Sequence, residues 1–422
     1  MLRHAFGKLA HVERRYTSEM KRLIWVIVTL AGAALSAQVP ASPRLEQSGF
    51  QYVGAFRVPD QSSNNDTISF GGAPLAYNPA NNSLFIGTRN HNLAEISIPA
   101  PAVNSTDLKA MKQAAFLQGL TDPTEGSWSG ITDGGLTFGG ALVVDGKLIG
   151  TGVIYYDANN TQRVSHFSRS VKLAEKSFSG WSSVWRAEQS GYVAGMMAAI
   201  PAEWQAALGG TVLTGQCCIP IVSRTSNGPS AFAFDHSKLG QKSVAASALL
   251  YYTGDNATLG KWEGSNPTYG AATSIAGMTL IKGTRTLLYI GRNGLGTHCY
   301  GDGTADKSLD GKKAPDGTMF CYDPTTNSKG SHAYPYRYQA WAYDLSELAS
   351  VKAGKKKPWQ IVPYAVWPLT LPIGDGVIPL GGVAYDAEHQ LVYVSQLWAD
   401  KDSGYLPLIH VFKIAAAGST AQ

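Results

Sequence analysis

The sequence predicts an all-β fold: a β-propeller, most simply of five blades, closed by an N-terminal strand that completes the last blade. Three observations predict it. First, small residues lead into a short apolar run five times. The runs are Phe70-Gly71-Gly72-Ala73-Pro74-Leu75-Ala76-Tyr77, Phe138-Gly139-Gly140-Ala141-Leu142-Val143-Val144, Val193-Ala194-Gly195-Met196-Met197-Ala198, Ile275-Ala276-Gly277-Met278-Thr279-Leu280-Ile281 and Leu380-Gly381-Gly382-Val383-Ala384-Tyr385. Second, each run is followed by further short strand-like segments. Third, residues 50–58 form a strand with no hairpin partner nearby. A supersecondary unit that recurs in this way, built from short strands, is the mark of a propeller.

The elements follow in order. Second strands are expected at 83–88, 147–152, 210–215, 287–291 and 391–395, each ending at a sharp polar corner. Third strands are expected at 94–98, 163–167, 230–234, 338–343 and 408–412, where β-branched and aromatic residues alternate. Outer strands are expected at 114–117, 183–186, 248–252 and 360–367. The fifth unit has none of its own, and residues 50–58 can supply it, removing an exposed edge. The units are long and uneven, so six or seven blades with degenerate members is the alternative count.

Residues 1–37 stand apart. Met20-Lys21-Arg22 precedes an apolar run at 23–35 that ends in Ser36-Ala37-Gln38. A basic start, an apolar stretch and a small-residue cleavage site describe a secretory signal peptide. The run is short for a membrane span. The expected organisation is therefore an upstream extension plus signal peptide at 1–37, with Met20 as the start of translation. One propeller domain follows at 38–422, with a polar insertion at about 294–335. The expected location is secreted or periplasmic, with no membrane span after cleavage.

The chain has 35 basic and 30 acidic residues. Arg3, Lys8, Arg14, Arg15, Lys21 and Arg22, with Glu13 and Glu19, fall before the cut. The remainder is close to neutral, so no global field draws it to nucleic acid. Four cysteines remain: Cys217, Cys218, Cys299 and Cys321. An even count in an exported chain points to disulfides. Either Cys299–Cys321 staples the insertion and Cys217–Cys218 forms a vicinal ring, or two long bridges join different blades. No His lies at ligand spacing to either pair, so no metal site is expected there. The acidic loop from Asp302 to Asp316 could hold calcium through oxygen ligands. Its spacing misses the EF-hand pattern, and a solvated loop balanced by Lys307, Lys312 and Lys313 is the plainer reading; no cofactor is otherwise implied.

In a propeller, the loops leading into the inner strands share one face with the corners joining second to third strands, and function concentrates on such scaffolded loops. Here they hold Asp66, Trp128, Asp133, Glu188, Tyr269 and Asp375, and at the corners Arg89, Asn90, His91, Tyr156, Arg224, Arg292, His298 and Trp398. Aromatic faces stack on sugar rings, and carboxylates, Arg and Asn bond to hydroxyls, so the expected partner is a poly- or oligosaccharide. Paired carboxylates can protonate a leaving oxygen and activate water. In organisation the chain resembles the five-bladed propeller glycoside hydrolases. That resemblance implies acid–base hydrolysis by Asp66, Asp133 and Glu188, so that Asp66→Asn should abolish turnover. Substrate contacts would come from Arg89, Asn90, Trp128, Tyr156, Arg224, Tyr269, Asp375 and Trp398.

Two alternatives use the same face. A polysaccharide lyase acting on a uronate needs a base and an enolate-stabilising group; His91 or His298 with Arg292 would serve. A non-catalytic binding propeller needs only the recognition residues. No nucleotide-binding loop, Gly-x-Ser-x-Gly elbow or His-Glu-x-x-His helix occurs.

Overall fold

Five antiparallel sheets organise the chain in this computed structural model, which describes residues 39–63, 66–100, 102–132, 134–219, 221 and 223–415. The signal-peptide reading and Asp133 lie outside the described residues. The first sheet contains Leu75–Asn78, Ser83–Gly87, Leu93–Ser97 and Phe116–Thr121, in chain order. The second contains Leu136–Val144, Lys147–Ile154 and His166–Ser170. Met197–Ala199, Val212–Thr214, Ala231–Phe234 and Ala246–Leu250 make the third. The fourth is Ser274–Leu280, Thr286–Gly294, Tyr336–Asp344 and Ala365–Pro368.

The fifth sheet joins the two ends of the fold. Its first three strands are Leu380–Asp386, Leu391–Asp400 and Leu406–Ile414, and the outer position is taken by Phe50–Arg57. That strand runs antiparallel to Leu406–Ile414, with Ala55 opposite His410. The unpartnered N-terminal strand thus covers the edge that the last unit would otherwise expose.

The first strands of successive sheets pack against one another in cyclic order, and the fifth returns to the first. Glycine permits the approach. A Cβ on Gly140 would lie 2.1 Å from the Gly195 carbonyl oxygen, and one on Gly277 2.6 Å from the Val383 Cβ. One on Gly382 would lie 2.8 Å from the Leu75 backbone nitrogen. Any side chain there would push the strands apart, which is why small residues recur at this point of each unit.

The core sits between neighbouring sheets. Phe85, Phe138, Leu148 and Phe167 fill the space between the first and second. Leu249, Tyr289, Trp341 and Tyr343 fill that between the third and fourth. Leu288, Ile290, Val392 and Val394 join the fourth to the fifth, and Leu84, Ile86, Tyr393 and Ile409 join the fifth to the first. Burying each large side chain contributes about 1.5–3 kcal/mol.

Several elements differ from the sequence expectation. Ser183–Val184 is not an outer strand of the second sheet; it runs parallel to Ser243–Val244. It joins the second sheet only through a bridge between His166 and Ser182. Trp185 takes φ 67°, which ends the extended run. The first unit's strand begins at Leu75 because Phe70 (φ 59°) and Gly72 (φ 113°) turn the chain. Likewise residues 187–192 form a 3-10 helix, so the third unit's strand starts at Met197.

The polar insertion is itself folded. Cys299–Thr304 pairs parallel with Met319–Tyr322 and antiparallel with Lys329–His332. The bridges are Cys299–Cys321, which staples this small sheet, and the vicinal pair Cys217–Cys218. Among the described residues, no helix is long and apolar enough to cross a membrane.

Candidate ligand face

Antiparallel alternation puts the lead-in loops and the second-to-third corners at one end of the sheets. Among the described residues, the exposed aromatic side chains are Phe70, Tyr155, Tyr156, Tyr300, Trp398 and Tyr405. Every one belongs to this end. Phe70 lies in a lead-in loop, and the others lie at or within the second-to-third corners of the second, fourth and fifth sheets. Among these six, Phe70 and Tyr405 are in ring contact.

The best-defined part is a stacked shelf. The rings of Phe70 and Tyr405 lie 5.1 Å apart at 19°, each 47 % exposed. Arg89 places its guanidinium 5.7 Å from the Phe70 centroid. The Phe70 amide donates to the Tyr405 carbonyl at 3.1 Å, which locks the two loops together. The Tyr405 corner is anchored from below: Arg57 Nε donates to the buried Asp400 carboxylate at 2.6 Å. The Ser403 amide bonds to the same carboxylate at 3.2 Å. Arg89 is among the contacts expected from sequence, and Phe70 and Tyr405 are not. Phe70 stands at the head of an apolar run that reads as a strand, and Tyr405 follows the turn Asp402-Ser403-Gly404, a legible signal.

Asp66 sits beneath the neighbouring corner and is 3 % exposed. Its Oδ1 accepts from the amides of Thr67 at 2.7 Å and Asn90 at 2.8 Å, and its Oδ2 accepts from the Thr88 hydroxyl. Both oxygens are therefore engaged in holding the corner that presents Arg89, Asn90 and His91. His91, at φ 71°, rests 6.0 Å from the Trp128 ring. Burial lowers its pKa, only partly offset by a bond to the Leu136 backbone and by the Asp66 and Asp122 carboxylates. Trp128 packs against Phe138 and Trp181, and its buried Nε1 has no protein partner.

Arg292 occupies a different setting from its expected one. It lies over the Tyr336 ring at 4.4 Å, and its Nη1 donates to the Val377 carbonyl at 2.6 Å. Burial lowers its pKa. Tyr336 donates to Asp323 at 2.7 Å, and Asp323 also pairs with His332 at 2.9 Å. This buried chain ties the insertion to the fourth sheet. His298 stands outside it, with Nε2 3.2 Å from the Ser331 hydroxyl and a pKa lowered chiefly by burial.

The remaining expected residues scatter. Glu188 and Asp375 are exposed, Asp375 at φ 38°. Tyr156 is 68 % exposed, and Arg224 donates to the Ala158 carbonyl at 3.2 Å. Tyr269 departs from its expected role as a substrate contact. It is 3 % exposed, packed on Trp341 and Trp262, because the lead-in loop folds its ring into the sheet interface. In the acidic loop, Asp306 caps a turn through the Ser308 amide, Asp310 accepts from the Tyr322 amide, and Asp316 pairs with Lys329 at 2.6 Å. Among the described residues, no group of three or more His, Cys, Asp and Glu is placed to hold a metal ion.

No family model and no curated protein matches this chain. Among solved structures it is similar to a glycosyl hydrolase from Bacteroides ovatus, at 10 % identity over 89 % of this chain and 96 % of that one, with a TM-score of 0.35. That score is too low to carry an activity across.

Proposed function

We propose that the chain is an exported five-bladed β-propeller whose aromatic loop end binds a glycan and cleaves its glycosidic bonds by acid–base hydrolysis. The observation that carries this reading is the gathering of exposed aromatic rings, with the Phe70–Tyr405 shelf and Arg89, at one end of the sheets. Stacked rings suit sugar faces, and the flanking Arg and Asn suit hydroxyls. Two disulfides and the basic–apolar start of the chain support export. The cyclic packing of first strands supports five blades.

Asp66 is buried and already accepts three hydrogen bonds, so the acid–base work is assigned to Asp133 and Glu188, with Asp66 holding the corner. The same engagement favours one second reading, a glycan-binding propeller without catalysis.

The test incubates the purified chain with a panel of neutral and uronate-containing polysaccharides, followed by product mass and ultraviolet absorbance. Products carrying added water, lost in Asp133→Asn and Glu188→Gln with unfolding midpoints unchanged, are expected. Binding without product over long incubation selects the second reading. An absorbing, unsaturated product would mark β-elimination instead, and no binding at all would overturn the glycan assignment.

A further inference from the structure

The five first strands also enclose a funnel of about 510 Å³. It opens at the end away from the aromatic loops, where first strands turn into second strands. Leu75, Ala141, Met197, Met278 and Val383 contribute to its wall, one from each sheet. A second, smaller cavity of about 20 Å³ lies among the glycines of the same strands, room for roughly one water. There the backbones of neighbouring first strands approach closely, Gly140 against Gly195 and Gly382 against Leu75. The funnel is widest at the end away from the loops and lined there by all five sheets.

Its size falls within the roughly 300–1,000 Å³ of small-molecule sites. Each first strand is the last strand on its side of its sheet, so one row of backbone groups faces the lumen alongside the apolar side chains. Such a wall offers a hydrophobic surface to an apolar body, while the backbone groups stay bonded to water or to a polar end of the ligand. The mouth sets the sign of charge. Glu203, on the first turn of the helix Ala202–Leu208, and Glu388 are both exposed there. Asp386 joins them but is engaged by His389 at 2.6 Å. Lys282 is the basic residue among those lining the funnel. The two free carboxylates outweigh it.

We infer that this funnel is a second binding site, for a small apolar molecule bearing a positive charge at one end. The apolar body lies among Leu75, Met197, Met278 and Val383, and the cationic end meets Glu203 and Glu388 at the mouth. The mouth lies at the end of the sheets opposite the loops that carry Phe70, Tyr405 and Arg89.

Calorimetric titration of the full chain tests it, using octylammonium, octanol and octanoate below their micellar concentrations. One octylammonium per chain is expected, with octanol weaker and octanoate weakest. The double variant Glu203→Gln, Glu388→Gln changes only exposed side chains. It should weaken octylammonium by about two- to tenfold and leave octanol unchanged, the scale of surface charge pairs. Ala199→Trp, at an exposed lip position, should abolish binding of octylammonium and octanol together while the unfolding midpoint holds. Failure of the folded chain to bind any probe would overturn the site. Octanoate binding as tightly as octylammonium, or a double variant with unchanged preference, would overturn the charge assignment.

Discussion

Replacing Asp66 separates a catalytic carboxylate from one that holds a corner. Asp66→Ala removes an acceptor from the amides of Thr67 and Asn90 and from the Thr88 hydroxyl. Thr88 retains a fallback, since its hydroxyl also lies 3.2 Å from the Asn92 carbonyl. Two part-buried backbone N–H groups then lose this acceptor, at the lower end of about 1–3 kcal/mol each, which gives roughly 2–3 kcal/mol. Asp66→Asn behaves differently. Its amide oxygen can keep both backbone donors, while its N–H₂ donates to the Thr88 oxygen and the Thr88 proton turns to Asn92. Only the charge assistance is lost, about 1–2 kcal/mol over these bonds. Equilibrium urea unfolding with linear extrapolation should therefore rank wild type, Asp66→Asn and Asp66→Ala in falling order. Polysaccharide turnover should persist in Asp66→Asn. A fall of about a hundredfold or more in kcat for Asp66→Asn, with an unmoved unfolding midpoint, matches loss of a general acid or base and would refute the corner role.

Other outcomes follow from the same contacts. Phe70→Ala and Tyr405→Ala should each weaken glycan binding about three- to tenfold, the scale of one aromatic contact; unchanged affinity in both would remove the shelf from the site. Arg57→Met leaves the buried Asp400 unpaired, so it should lower stability by about 3–5 kcal/mol and loosen the Tyr405 corner; a loss below 1 kcal/mol in urea would contradict this. Tyr269→Ala should cost about 3–5 kcal/mol of stability and leave glycan affinity intact in the folded fraction, the reverse of a surface contact. His166 and His410 are buried with pKa pushed down to about 3. The unfolded chain therefore binds their protons first, and stability should fall as pH drops below about 6.5, by up to ~1.4 kcal/mol per pH unit for each. A flat urea midpoint from pH 7 to 5 would count against it.

The repeat was legible because its cause is local and periodic. Small residues are needed wherever backbones crowd, so Gly140, Gly277 and Gly382 recur at the same point of each unit, each followed by an apolar strand. The orphan strand at 50–58 was legible for the complementary reason: a strand without a neighbour needs one, and the last unit lacked its outer member. Strand limits were less legible where left-handed residues intervened, as at Phe70 and Trp185, since nothing in an apolar run marks a positive φ. The folding of the insertion and its staple needed the coordinates, because spacing left two disulfide pairings open.

The candidate site divides the same way. Alternation and turn residues placed the loops at one end, and that end does carry the exposed aromatic rings. Their partners were another matter. Phe70 meets Tyr405 only because the first and fifth sheets lie side by side, which brings together loops from opposite ends of the chain. Asp66 reads as a free carboxylate until its own loop and the corner at Thr88–Asn90 each turn an amide onto it, and Tyr269 reads as a surface ring until its loop folds inward. The funnel with Glu203 and Glu388 at its mouth has no sequence motif, since each sheet contributes one short stretch to it. Side-chain periodicity is written residue by residue along the chain. Contacts between loops depend on how far-apart segments close upon one another, and that closure depends on the packing of all five sheets together.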